Sequence, residues 1–497
     1  MAFPTTVDSI TDNVSVLHAS QVLGPQRITV GPTYYNVKSD QFNGGAVGDG
    51  VADDTLAIQA AENTATVNGG TVFFPPGIYA AQGIVKMSNA DWLGTGTAGS
   101  ILKLKSSAAT GTPLVIGQNF ASLTGTTSAG GITNFRIARL MFDGNKANNG
   151  SFSVPLIQWF GYGYDMDSFG IINANNTSLY SEWGTSGLIL SPIGLEARIR
   201  NFWIGFSGQD GIEWAGPHDS MIGPGIIAGA GRHSFWSHGN GGACAIERVH
   251  CWGASQDWSW FLDTNAYLTE CQGEDGTVGA VWCRADGVQV VGGQYFSTPI
   301  AFRIGISAGH ASVNTHIRSA AILGITSAAV DFGNDGGGNS LEFYTTGSNT
   351  TVASGTQSAN TLIKIVNSGA GGAPNSTYTH WTNGSPGLAI RDTNPPSLYF
   401  RHAGSSDVSL RNNSGVLEMR TATPTTPMAV SQAGQLTLLG AVSPGTPAGA
   451  SQSGQLFMGS GAPSNANGNN GDFYLRTDTT ATPHFYKKIT GSWTTIV

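Results

Sequence analysis

Between about residues 200 and 300 glycine returns in step: Gly205, Gly229, Gly253, Gly273 and Gly293 stand at intervals of 24, 24, 20 and 20, each at a similar place in its local text. A period of that length marks one supersecondary unit, which buries an apolar face only by stacking on its neighbours about 4.8 Å away. The clearest trio is VHCWGASQDWSWFLDT, TECQGEDGTVGAVWCRA and VVGGQYFSTPIAFRIG. In that register Cys251, Cys271 and Gly292 share a column. Val249 with Cys251, and Thr269 with Cys271, point to one side; His250 with Trp252, and Glu270 with Gln272, point to the other, toward solvent.

Composition agrees with an all-β chain. Glycine supplies 70 of the 497 residues and charged residues 11%, against roughly 7% and about 25% in ordinary globular proteins. Short Val, Ile, Phe, Thr and Tyr runs broken by Gly, Asn, Asp and Ser give strands and turns, not long amphipathic helices. The net charge of −8 and the lack of a Lys/Arg cluster argue against a nucleic-acid groove. No run of about 18 apolar residues predicts a membrane span, and MAFPTTVDSITDN lacks the features of an ordinary signal peptide, so work outside a cell implies exit by another route such as lysis. Cys244, Cys251, Cys271 and Cys283 are too few for a disulfide scaffold, include no C-x-x-C pair, and are expected as buried thiols.

The stretch from Tyr34 to Met87 reads as strand, Gly/Asp turn, short helix, Gly-Gly turn, strand. Asp53 and Asp54 are expected to cap the helix that carries Leu56, Ile58 and Ala60, and Gly69-Gly70 turns the chain into Thr71-Val72-Phe73-Phe74. The string GAVGDGVADDTLAIQAA followed by GGTVFFPPGIY resembles the opening of the pectate-lyase-like β-helix superfamily, shared by bacteriophage tailspikes and many polysaccharide-degrading enzymes. LMFDGNKANNG at Leu140 to Gly150 is similar to one of its rungs and turns. The resemblance implies a right-handed parallel β-helix, a solenoid, from about Tyr34 to Tyr344, with residues 32–344 as the body.

Around that body, residues 1–31 are expected to be a virion-attachment segment with a short helix over TVDSITDNVSVLHASQVL. Residues 345–440 are a linker and short-strand β-repeats resembling phage fibre shafts, a β-prism-like region. Residues 441–497 form a small terminal β module, set off by the linker PGTPAGASQSGQ. The likeness implies an intertwined homotrimer on the phage tail, joined through the N-terminus to a baseplate or adaptor protein, released at host lysis, meeting a bacterial surface polysaccharide, and neither binding nucleic acid nor inserting in a membrane.

Nine of the twelve tryptophans lie between Trp159 and Trp282, and aromatic faces cover the apolar faces of sugar rings. Trp214, Trp252, Trp258 and His250 are the candidate glycan contacts, although Trp258 and Trp260 also suit a filled interior. Glycosidic hydrolysis requires two carboxyl groups. Asp210 and Glu213 of GQDGIEW sit near one rung turn, with Asp257 in almost the same column two rungs later. Two rungs are roughly 10 Å, which fits an inverting pair. Glu270, Glu274 and Asp275 form a second cluster one rung from His250; the acid candidates are Asp210, Glu213, Asp257, Glu270 and Asp275. A β-eliminating lyase is the alternative enzyme, with His250, Arg248, His233 and Arg232 as base and cation; a non-enzymatic adhesin is the alternative of another class. The Asn-Thr-Asp, Asp-Asp and Gly-His-Gly set of the polygalacturonase branch is missing: Asp53-Asp54 lies in the entrance helix, and Ser237-His238-Gly239-Asn240 matches poorly. With no phosphate loop or metal constellation, and with GDGVADD better explained by capping than as a calcium loop, no cofactor is expected.

Overall fold

A computed structural model describes residues 33–122, 131–183, 196–306 and 309–346, most of 351–368, short strands between 377 and 438, and residues 456–478 and 485–496. The attachment segment over 1–31 and the linker PGTPAGASQSGQ lie outside the described residues. The chain divides into two units, the second starting at Asn375.

The first unit is a stack of coils, most contributing three short strands that pair in parallel with the coils before and after. One coil runs through His233–Ser237, Cys244–Glu247 and Val249–Trp252; the next runs through Trp258–Leu262, Ala266–Thr269 and Gln272–Glu274. The three strand columns are here called the first, second and third faces. Inward side chains on the second face form an aliphatic ladder: Ile199, Ile222, Ile246, Leu268, Val290, Ile317, Leu341 and Ile363 are in register on successive coils. All of them are buried, and burial of one such side chain stabilises by about 1.5–3 kcal/mol. Parallel coils continue past Tyr344, through Thr351–Gly355 and Leu362–Ser368.

The glycine register is corrected in detail. Gly205 pairs with Ala228 and Cys251 with Gly273, so Cys271 is not in the Cys251 column. Coils differ in corner length, and the slip of two residues preserves the alternation: Cys251 and Cys271 face inward, while His250, Trp252 and Gln272 are partly exposed. Thr269 departs from its expected side because the chain turns at Glu270, which has φ of 53°. Gly273 serves space: a Cβ there would lie 3.3 Å from Cδ1 of Trp260, the ring filling the same coil. All four cysteines are free and buried, and burial pushes the Cys244, Cys271 and Cys283 thiols up to about 12.

The helix Thr55–Asn68 packs on the first coils. Its start corrects the expected cap. Asp53 accepts the Thr55 N–H at 3.1 Å, whereas the Asp54 carboxylate turns back to accept the Val47 and Gly48 N–H groups at 2.7 and 3.2 Å. The helix is fixed to the stack by a fully buried ion pair, Glu62 with Lys86 at 3.0 Å. Glu62 also accepts the Met87 N–H and the Trp92 indole N–H, and Lys86 donates to the Ala90 and Met87 carbonyls.

In the second unit, seven strands from Thr377–Trp381 to Leu436–Leu438 pair in sequence as an antiparallel meander. Leu456–Gly459, Phe473–Arg476, Phe485–Ile489 and Ser492–Thr495 form a separate four-stranded sheet.

Removing one partner of a buried ion pair leaves an uncompensated charge and costs about 3–5 kcal/mol. Lys86→Met is therefore expected to lower the unfolding midpoint of the first unit in denaturant titration, and Lys86→Met with Glu62→Met to recover much of the loss. A single variant as stable as the parent contradicts the pinning role.

Candidate functional site

On the first face the strand alternation that sends Ile212, Phe235, Trp260, Val281 and Phe302 inward sends the intervening residues outward. Tyr180, Glu213, Trp236, Phe261, Trp282 and Arg303 stand directly above one another on successive coils. From Trp236 to Trp282 the column is aromatic, with Trp236 and Trp282 partly exposed and Phe261 buried between them. Trp236 and Phe261 meet edge to face at 6.1 Å, Phe261 and Trp282 at 5.0 Å, and Trp258 lies against Trp282 at 5.2 Å. Arginines lie over these rings: Arg232 on Trp236 at 4.6 Å, Arg284 on Phe261 at 4.7 Å and Arg303 on Trp282 at 5.1 Å. Each guanidinium is held by a carboxylate, Asp210, Asp263 and Asp331 respectively, which fixes planar donors beside the rings.

At the Tyr180 end the strip meets a polar cluster. The Tyr180 hydroxyl donates to Glu182, and His238 Nε2 lies 3.2 Å from Glu213 Oε1. The Thr177 hydroxyl lies 3.3 Å from Glu213 Oε2 and 3.4 Å from Asp210 Oδ2. Burial, then the Glu182 and Glu213 carboxylates, push the Tyr180 phenol well above its ordinary value, so it keeps its proton. The His238 ring rests on Trp236 at 4.3 Å. Beside this cluster Trp183 meets the His218 ring at 4.7 Å, and His218 pairs with Asp219 at 2.7 Å. The Tyr180 and Glu213 Cα atoms are register partners, and Glu182 is two residues beyond Tyr180 on the same outward side. Strand geometry thus puts Glu182 and Glu213 about 8 Å apart at Cα.

The sequence candidates divide. Glu213 is in the cluster. Asp210 and Asp257 do fall on nearby coils with Arg232 between them, since Asp257 N–H donates to the Arg232 carbonyl at 2.6 Å. Asp210 is nevertheless fully buried and saturated by Arg232, the His233 N–H and Thr177, so it braces Arg232 and cannot exchange a proton with a ligand outside. Burial pushes its carboxyl up against the pull of the guanidinium. Asp257 is exposed and accepts from Thr277. Trp214 corrects an expectation: its ring is buried in the interior, with Nε1 donating to the Pro217 carbonyl. Trp258 is on the outer face but covered by Trp282 and Arg303, leaving 2% exposed. His250, Trp252, Glu270 and Asp275 lie on the third face or its corners, away from Glu213; there His250 Nε2 meets Glu274 at 2.6 Å. His233 is no base for elimination, being stacked flat on Phe261 at 4.2 Å and pulled down to about 3 by burial and Arg232. Sequence reasoning passed over Tyr180, Glu182, Trp236, His238 and Trp282 as site residues. Their signal is the outward column through Glu213, which the glycine register did not pick out.

Among the described residues no group of three or more His, Cys, Asp or Glu is placed to hold a metal ion.

Residues 35–222 match the family model described as rhamnogalacturonase A/epimerase, pectate lyase-like. The matched stretch contains Tyr180, Glu182 and Glu213 but ends before Trp236 and His238. A 123-residue stretch is 35% identical to mannuronan C5-epimerase AlgE6 of Azotobacter vinelandii, spanning 23% of this chain and only 13% of that protein. The A-module of the same epimerase superimposes with a TM-score of 0.46 at 18% identity, covering 67% of this chain and 99% of that one. ORF18 of Geobacillus virus E2 superimposes with a TM-score of 0.48 at 14% identity, covering 93% of this chain and 86% of that one.

Unfolded His233 takes a proton near its ordinary 6.5 and the folded residue only near 3. The unfolded state therefore binds more protons between those values, and stability falls as pH drops through that window, by up to a few kcal/mol. His233→Phe keeps the stack on Phe261 and is expected to flatten the decline between pH 6.5 and 3 in pH-dependent unfolding. An unchanged slope contradicts the buried neutral histidine.

Proposed function

We propose that this protein is a bacteriophage tailspike that binds a bacterial surface polysaccharide along the first face of its solenoid and cleaves it by glycosidic hydrolysis. The observation that carries the reading is the convergence of Glu182 and Glu213 on the Tyr180 phenol at the end of an aromatic and arginine strip. Trp236 and Trp282, which are partly exposed, offer apolar ring surface to sugars, and the guanidinium edges between them suit hydroxyl and carboxylate oxygens; Phe261 lies buried beneath His233 and Arg284 and backs the strip. Inverting hydrolysis holds its two carboxyl groups about 6.5–9.5 Å apart with a water between them, a spacing that outward side chains on Cα atoms about 8 Å apart can reach. In this scheme Glu213, oriented by His238 and Thr177, takes a proton from the attacking water. Glu182, in its protonated form, gives its proton to the leaving glycosidic oxygen as the bond to the anomeric carbon breaks, and after turnover it regains a proton from solvent as Glu213 loses the one taken from water. Tyr180 stays protonated between them and holds Glu182 in place.

The virion assignment rests on the likeness of the entrance motif GAVGDGVADDTLAIQAA to tailspike openings and on the short antiparallel strands of the second unit. It carries with it a homotrimer and attachment through residues 1–31. A second reading, elimination or epimerisation at a uronic acid, is favoured by the likeness to a mannuronan C5-epimerase and by His238 and Tyr180 standing beside Glu213.

Purified protein is to be incubated with capsules and lipopolysaccharides from a bacterial panel, following chain length, reducing ends and unsaturated-uronate absorbance. Hydrolysis predicts shorter chains with new reducing ends and no such absorbance, and Glu213→Gln or Glu182→Gln lowers the rate about 10²–10⁴-fold while binding persists. Shortening with absorbance selects elimination, and a uronate epimer without shortening selects epimerisation. A glycan bound by the parent protein and left by it at full length and with its uronates unchanged makes the protein an adhesin.

A further inference from the structure

A concavity opens on an edge of the solenoid away from the first face, where the chain turns from the second face to the third. It has a volume of about 640 Å³ and is lined by Asn201, Pro224, Ile226, Arg248, Glu270 and Gln272, among others. Its origin is local. Asn201, Arg248 and Glu270 stand at this corner with φ of 53°, 50° and 53°, each in the left-handed region; Asn201 donates to Asp167 at 2.9 Å, while Arg248 and Glu270 are exposed. The intervening coil has Gly223-Pro224-Gly225 at the same corner, joined to its neighbours by Asn201 N–H to Pro224 O at 2.7 Å and Gly225 N–H to Arg248 O at 3.3 Å. That coil has no long side chain there. A Cβ at Gly225 would lie 2.4 Å from the Phe202 ring, so the gap is maintained by packing beneath it.

The chemistry around the gap is mixed and unspent. Among the described residues the Arg248 guanidinium, the Glu270 carboxylate and the Gln272 side-chain amide have no hydrogen-bond partner, although all three line one groove. His250 is fixed through Nε2 by Glu274 at 2.6 Å. Ile226 shares an outward column with Trp203 on one side and His250 and Gln272 on the other, giving an apolar wall beside the polar groups. A donor fork, a pure acceptor and an amide that does both match groups that donate and accept at once, which is the pattern of adjacent sugar hydroxyls. A simple anion would be opposed by Glu270, and an apolar ligand would strand all three polar groups. The volume is within the range of about 300–1,000 Å³ for small-molecule sites.

We propose that this corner groove is a second saccharide site, separate from the Glu182–Glu213 cluster, which holds one or two neutral, hydroxyl-rich sugar units of the polysaccharide without cleaving them. Arg248 and Glu270 grip neighbouring hydroxyls, Gln272 takes a third, and Ile226 covers the apolar face of a ring. The proposal rests on the polysaccharide reading of the protein, but not on hydrolysis. Two sites on one rigid solenoid raise the effective concentration of a long chain at each of them.

The test uses the full chain carrying Glu213→Gln, so that bound glycan is not consumed, on an array of purified capsular and O-antigen polysaccharides. Arg248→Ala with Glu270→Gln in that background is expected to weaken binding of the retained glycan at least tenfold, and Gln272→Ala to weaken it less, with unfolding midpoints unchanged. Equal affinity for the parent and both variants overturns the groove, as does an array on which nothing is retained. A parent protein that cleaves no glycan it binds removes the hydrolytic reading while leaving the groove comparison intact.

Discussion

No coil of this solenoid buries its own inward face. The ladder from Ile199 to Ile363 is interior only because each aliphatic residue has neighbours along the stack, so each coil draws its stability from the coils on either side of it. Two features follow from that dependence. The first coils carry the Thr55–Asn68 helix, bound through Glu62 and Lys86. The outward positions, freed from any role in the core, are available for chemistry, and the alternation that fixes the interior also lines them up at strand-pair spacing.

That linkage explains the division between brace and surface on the first face. Asp210 is an acid in the right column, but the coil uses it to hold Arg232 under the edge of Trp236. Glu213, three residues later, is partly exposed and shares the Thr177 hydroxyl with it. One carboxylate orders the arginine and the ring; the other is left to act. The corner groove has the opposite construction: Arg248 and Glu270 stand on left-handed turn residues, and among the described residues neither is locked by an ion pair.

Much of the fold was legible in the sequence because strand alternation and turn chemistry are local. The entrance strand, the helix after Asp53-Asp54, the strand over Thr71–Phe74 and the inward cysteines follow from patterns a few residues long. Register between coils is not local. Gly205 and Gly273 lie in strands, whereas Gly229, Gly253 and Gly293 are turn residues with positive φ, so equal spacing in the sequence mixed two kinds of glycine. The same limit governed the site. Glu213 was recognisable as an acid near a rung turn, but its union with Tyr180, Glu182 and His238 depends on which residue of the next coil pairs with it. The interior place of Trp214 follows from parity with Ile212 once the strand is fixed, and the sealing of Asp210 depends on a guanidinium supplied by the following coil.

The most direct test of the central claim is a structure of the Glu213→Gln protein with a bound fragment of a polysaccharide that the parent shortens. The account predicts sugar rings laid along Trp236 and Trp282, with a glycosidic oxygen between Glu182 and residue 213. A fragment bound elsewhere on the chain, with that strip bare, contradicts it.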